Sequence, residues 1–261
     1  MHKICAGRKP LSKETISVWQ ENNPDIRADI TGYFCDEMMI VRDNIDAILS
    51  SMGLPREYIA KASGMDKTLL SVWFSQKRRS LSPQVAVGFC DVLHCTCSEL
   101  IMGEKLEVKP PKRLELFYRI IKEHKAIFNK AEKILASLPR REDVDVDELI
   151  YERMMELITD DMCAPFDFIN PCKPGYVTIL SKMFEDKKSS ARLPTIFGIC
   201  LLLNVSPDYL MKLDYTSSPI IIDNAKVEAS FMPIISKFLT VSSENQDIVL
   251  GQMLEATLHY N

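Results

Sequence analysis

Residues 48–101, laid over residues 158–211 without a gap, agree at fourteen positions. The pairs are Ile48/Ile158, Met52/Met162, Pro55/Pro165, Ile59/Ile169, Thr68/Thr178, Leu70/Leu180, Ser71/Ser181, Phe74/Phe184, Lys77/Lys187, Ser80/Ser190, Gly88/Gly198, Cys90/Cys200, Leu93/Leu203 and Leu100/Leu210. Self-similarity at a fixed shift means one supersecondary unit used twice. The chain must therefore hold two related bodies plus connectors, and its 261 residues suffice for both. With nine glycines and no sustained apolar–polar alternation, the expected fold class is all-α.

The helices are short and punctuated. One is expected over 12–20, and a second over 36–52, where Met38, Val41, Ile45, Ile48 and Met52 recur at helical spacing and Gly53 stops the run. Three short helices follow at 55–63, 66–74 and 83–93, the middle one opening on Asp66 as its N-cap, and a last turn over 98–102 ends at Gly103. After Lys109-Pro110-Pro111, the stripe Leu114, Phe117, Ile121, His124, Phe128, Ala131, Leu135 and Leu138 predicts one long helix from Lys112 to Leu138. Links are read at 139–143 and 217–223, with two final helices near 224–239 and 243–259. The implied organisation is an N-terminal extension 1–35, a first repeat 36–104, a helical linker 105–144, a second repeat 145–216 and a C-terminal segment 217–261.

Bulk composition excludes several classes. The chain is 46% hydrophobic and 26% charged, ordinary for a globular protein, and no apolar run approaches bilayer length. Met1–Pro10 lacks the apolar core of a secretion signal, and the eight cysteines lack paired spacing, so a reducing, cytoplasmic setting is expected. Cys90, His94, Cys95 and Cys97 are metal-ligand types, but they lack the separated pairs of a zinc site, and Cys90 and Cys95 align with Cys200 and Val205 in the repeat's core. No phosphate-cradling glycine loop or nucleophile motif is present, so neither enzymatic activity nor a cofactor is expected. The net charge is −4, yet residues 53–103 carry +2, with Lys77-Arg78-Arg79 consecutive.

Residues 45–101 resemble the lambda-repressor-like (Cro/XRE) helix-turn-helix family. The resemblance rests on Gly53-Leu54, Ile59-Ala60, Gly64-Met65-Asp66, the core positions Leu70 and Trp73, and the closing run from Leu93 to Leu100. It implies two such domains in tandem, joined by the long helix and followed by the C-terminal helices. It also implies a transcriptional regulator that reads double-stranded DNA. A short bracing helix then sets a second one in the major groove. Lys67, Thr68, Ser71 and Val72 are the expected base-facing residues, with Lys67 suited to a guanine edge and Thr68 or Val72 to a thymine methyl. Arg56, Gln76, Lys77, Arg78 and Arg79 are the expected contacts to the sugar-phosphate backbone. Phe74, with Leu70 and Trp73, is expected in the core. The chain departs from the family at Phe74-Ser75-Gln76, where Glu-Asn-Gly is usual.

The second copy differs where DNA would be gripped. Phe166 replaces Arg56, Asn170 replaces Ala60, and Pro171 and Pro174 interrupt its second helix. Its outer face becomes Tyr176, Val177, Thr178, Ser181 and Lys182, and only Lys187-Lys188 remains of the basic loop. This copy is read as a degenerate domain suited to packing. Self-association as a homodimer through the long central or C-terminal helices is expected. The alternative is a helical interaction scaffold that keeps the fold without binding DNA.

Overall fold

The computed structural model describes residues 33–63, 65–75, 81–108, 110–141, 144–160, 181–189 and 191–259. The expected helix at 12–20 lies outside them. The described residues are mostly helical and include a two-stranded hairpin. The described residues fall into two compact units, each built from separated stretches of chain.

The first unit joins the described parts of Met1–Leu106 and Asp145–Lys212, so both repeats belong to it. From the first repeat come α1 (Tyr33–Met52), α2 (Glu57–Ser63), α3 (Lys67–Ser75), α4 (Pro83–Leu93) and α5 (Cys97–Met102). The second repeat supplies α8 (Val146–Asp160), helical residues 181–186, α9 (Leu193–Leu203) and α10 (Pro207–Met211). Val41, Ile45 and Leu49, four residues apart on α1, are buried, as are Ile150, Met154, Leu157 and Ile158 on α8.

Backbone geometry repeats along with the residues. Helix α4 ends at His94 with φ 51°, and α9 ends at Asn204, the equivalent position, also with φ 51°. The next amide turns back each time: Cys95 N–H donates to the Cys90 carbonyl (3.1 Å) and Val205 N–H to that of Cys200 (2.9 Å). Thr96 and Ser206 then cap α5 and α10 through their hydroxyls. In the first repeat the Glu99 carboxylate also accepts the Thr96 N–H at 2.8 Å, completing a reciprocal capping box.

The second unit joins the described parts of Glu107–Val144 and Leu213–Asn261. The single long helix expected over Lys112–Leu138 is two helices, α6 (Lys112–Glu123) and α7 (Lys125–Ser137), broken at His124 with φ −123° and ψ 83°. An unbroken helix would run straight for about 40 Å. The break instead lets α6 and α7 pack on each other and both pack on α12 (Ser243–Leu258). The expected start of a helix near 224 is also corrected. Ile221–Ile222 (β1) and Ala225–Lys226 (β2) form a hairpin whose turn residues, Asp223 and Asn224, both have positive φ. A 3₁₀ turn at Ala229–Phe231 leads into α11 (Met232–Leu239). Phe117 of α6 stacks on Phe238 of α11 at 4.1 Å between centroids. The buried Gln246 amide donates to the carbonyls of Phe238 and Val241, tying α12 to the end of α11. Among the described residues no helix is long and apolar enough to cross a membrane.

Candidate nucleic-acid interface

Helix α1 stops as its glycine requires. Gly53 has φ 66°, its N–H donates to the Ser50 carbonyl, and Leu54 N–H reaches that of Leu49 at 2.9 Å, a Schellman closure. The chain then turns into α2, which buries Ile59 and Ala60 and packs on α3 and α4. Helix α3 buries Leu70 and Trp73, whose indole meets Phe89 of α4 edge-on at 6.1 Å. The Asp66 carboxylate caps α3 by accepting Thr68 N–H at 2.8 Å and Leu69 N–H at 3.1 Å. Those bonds, Leu69's first, hold its carboxyl below the usual carboxylate range.

With α3 fixed at its start and along its inner side, its outer side is defined. Lys67, Thr68 and Ser71 are exposed and Val72 is half-buried. Residues four apart lie on one helix face, so the 67/71 and 68/72 pairs make one outward surface. Gln76, Lys77, Arg78 and Arg79 lie outside the described residues. Leu69, 57% exposed beside Lys67 and Thr68, was not foreseen from the sequence. Its apolar type gives no sign of this; the helix phase that buries Leu70 and Trp73 turns it outward.

Arg56 is brought near α3 but already has a partner. Its Nε donates to Asp46 Oδ1 at 2.7 Å and its Nη2 to Asp46 Oδ2, while the guanidinium lies 4.4 Å from the Phe74 ring centroid. The bond to Asp46 raises the Arg56 pKa further. Ten residues separate this pair in sequence, and the α1–α2 turn closes that distance. Phe74, expected in the core, is instead half-buried: one edge meets Trp73 at 4.9 Å and one face carries Arg56.

Comparison with known protein families, with curated proteins and with solved structures finds no match.

The second repeat offers a different surface. Of its expected outer residues, Ser181 is half-buried and Lys182 exposed. Phe166, Asn170, Pro171, Pro174, Tyr176, Val177 and Thr178 lie outside the described residues. Lys187 is exposed, but Lys188 donates to Asp145 and sits 3.7 Å from Glu148, both at the start of α8. That contact raises the Lys188 pKa and lowers that of Asp145.

The cysteines of the first repeat sit in its frame. The Cys90 thiol donates to Cys97 Sγ at 3.7 Å, and both residues are buried. Hydrogen bonds with Cys95 and Cys97, then burial, push the Cys90 thiol well up, so it stays a thiol. His94 is exposed at the end of α4. Among the described residues no group of three or more His, Cys, Asp or Glu could hold a metal ion.

Proposed function

We propose that this chain is a sequence-specific DNA-binding transcriptional regulator with two lambda-repressor-like helix-turn-helix domains in tandem, and that the first domain reads the duplex through α3. One observation carries the reading. A short capped helix, held from behind by Ile59, Ala60, Leu70 and Trp73, presents Lys67, Thr68 and Ser71 outward on one face. Side chains of that kind on a braced short helix fit the edge chemistry of the major groove. The cluster Lys77-Arg78-Arg79 follows α3 directly in sequence, where a backbone clamp belongs. The second domain keeps the frame and has Lys188 bound to acidic neighbours, which suits packing better than gripping phosphate. In this reading the protein works in the cytoplasm without enzymatic activity.

Selection of bound fragments from genomic DNA, followed by gel shifts, tests the proposal. Lys67→Ala and Ser71→Ala should change sequence preference. Lys77→Ala with Arg78→Ala should weaken binding to every sequence alike. If about four cations meet phosphates, log affinity should fall against log salt with a slope of roughly −3 to −4. The absence of retardation on random duplex at micromolar protein and low salt would instead support the scaffold reading, which the Arg56–Asp46 pair and the net charge of −4 favour. Self-association through α12 is part of the proposal, because Ile248, Leu254 and Leu258 are exposed along that helix.

A further inference from the structure

Ser98 and Asp208 occupy the same position in the two repeats, 110 residues apart. In the structure they touch. Both are fully buried where α5 packs against α10. The Asp208 carboxylate accepts Cys97 N–H at 2.7 Å, Ser98 N–H at 3.0 Å and the Ser98 hydroxyl. The flanking contacts exchange in the same way: α4 of the first repeat meets α8 of the second, and α9 of the second meets α1 of the first. Swapping the repeats maps one contact onto the other. The two repeats are thus related by a local two-fold relation, with residues 98 and 208 beside its axis.

At the axis of a two-fold pair of identical copies, a residue meets itself. Two copies of the first repeat would set Ser98 against Ser98, leaving the α5 amides without a carboxylate. Two copies of the second would bury Asp208 against Asp208, and like carboxylates that close cannot both ionise. The neighbouring position follows the same logic. Cys97 supplies an N–H to Asp208, whereas its equivalent, Pro207, has no N–H to supply. The donors lie on one repeat and the acceptor on the other. Lys212 donates to Asp91 at 2.9 Å and Gln84 accepts Val146 N–H at 3.3 Å, adding further unlike pairs across the same boundary.

We propose that the Ser98–Asp208 contact makes the α5–α10 surface accept only the unlike repeat of its own chain, so that one chain alone completes a two-fold body. The tether keeps the partner at high local concentration, which favours pairing within the chain over pairing between chains. The inference concerns pairing and stands whether or not the chain binds DNA.

Two full-length variants separate the possibilities. S98D places two carboxylates at the axis, and D208S places two hydroxyls there. Each should melt below wild type, S98D by about 10 °C, as expected for an uncompensated buried charge. Mixed after joint refolding, S98D and D208S should melt as the separate proteins do. A mixture with a transition above those of both single variants would show pairing between chains, since one of the two junctions so formed is wild-type, and would overturn the proposal. The swapped chain, S98D with D208S, restores one carboxylate opposite one hydroxyl and should melt above S98D, though below wild type because Pro207 offers no N–H. A swapped chain that melts no higher than S98D would overturn rejection of like pairs. If S98D fails to fold, D208N serves by hydrogen exchange. The Cys97 and Ser98 amides should lose at least tenfold of their protection in D208N, and unchanged protection would also overturn the proposal.

Discussion

The first repeat closes with His94 at φ 51°, the Cys95 amide returning to Cys90, and Thr96 capping α5; the second closes with Asn204, Val205 and Ser206 in the same roles. Leu100 and Leu210 are both fully buried, and so are Cys90 and Cys200. Against this agreement, the exposed surfaces diverge. Thr68 and Ser71 have Thr178 and Ser181 as equivalents, but exposed Asp66 and Lys67 are replaced by Tyr176 and Val177, and Lys188, beyond helical residues 181–186, is bound to the acidic start of α8. A residue packed among its own repeat's helices must fit neighbours that were duplicated with it. A surface residue answers only to whatever it meets, so its position is free to change once one copy suffices for that partner.

Substitutions can break or sharpen this comparison, and the largest effects belong in the shared frame. Leu100→Ala and Leu210→Ala should each cost about 2–5 kcal/mol in urea unfolding. Costs that differ by more than that range would show that the repeats are packed unequally. The caps come next. Thr96→Ala and Ser206→Ala should each cost about 1 kcal/mol, with Thr96 the dearer because Glu99 shares its box.

The cap at Asp66 separates the repeats, since Tyr176 stands at its equivalent position. Its carboxyl is lower in the folded chain, so its stabilisation is complete above the ordinary carboxylate pKa and is lost as pH falls through the folded value. Asp66→Ala should therefore lower the melting temperature at pH 7, and the gap from wild type should close towards pH 2; a gap independent of pH would mean the carboxylate is not the cap. The smallest expected effect is on Arg56. Its side chain is 54% exposed, and after allowance for solvent screening Arg56→Ala should change stability by less than about 1 kcal/mol. If the same variant weakens duplex binding in fluorescence anisotropy, Asp46 gives up the guanidinium to phosphate.

Much of the helical frame was legible because it rests on local rules. Gly53, Asp66, Pro83 and Gly103 each mark a helix end by backbone or capping chemistry, and the structure has helix ends at all four. The break at His124 was not legible. No proline or glycine sits there, and the apolar stripe runs through it without interruption. The helices on either side of it both pack on α12, which lies more than a hundred residues further along the chain. The hairpin was missed because two-residue strands are too short to show alternation, leaving Asp223-Asn224 as its sole signal. At the candidate site, the outward phase of Lys67, Thr68 and Ser71 followed from helix periodicity. The capture of Arg56 by Asp46 did not, since it depends on the angle at which α2 leaves α1.

The order in which the two units are interleaved along the chain has a consequence in time. Helix α5 is complete at Met102, but its covering helix, α10, ends at Met211. On a ribosome adding about 5–20 residues per second, the Ser98 surface therefore waits some 5–20 s for Asp208. During that interval the second unit is also incomplete, because α11 and α12 are made after α10. A nascent chain of this design holds its first repeat uncovered until late in synthesis.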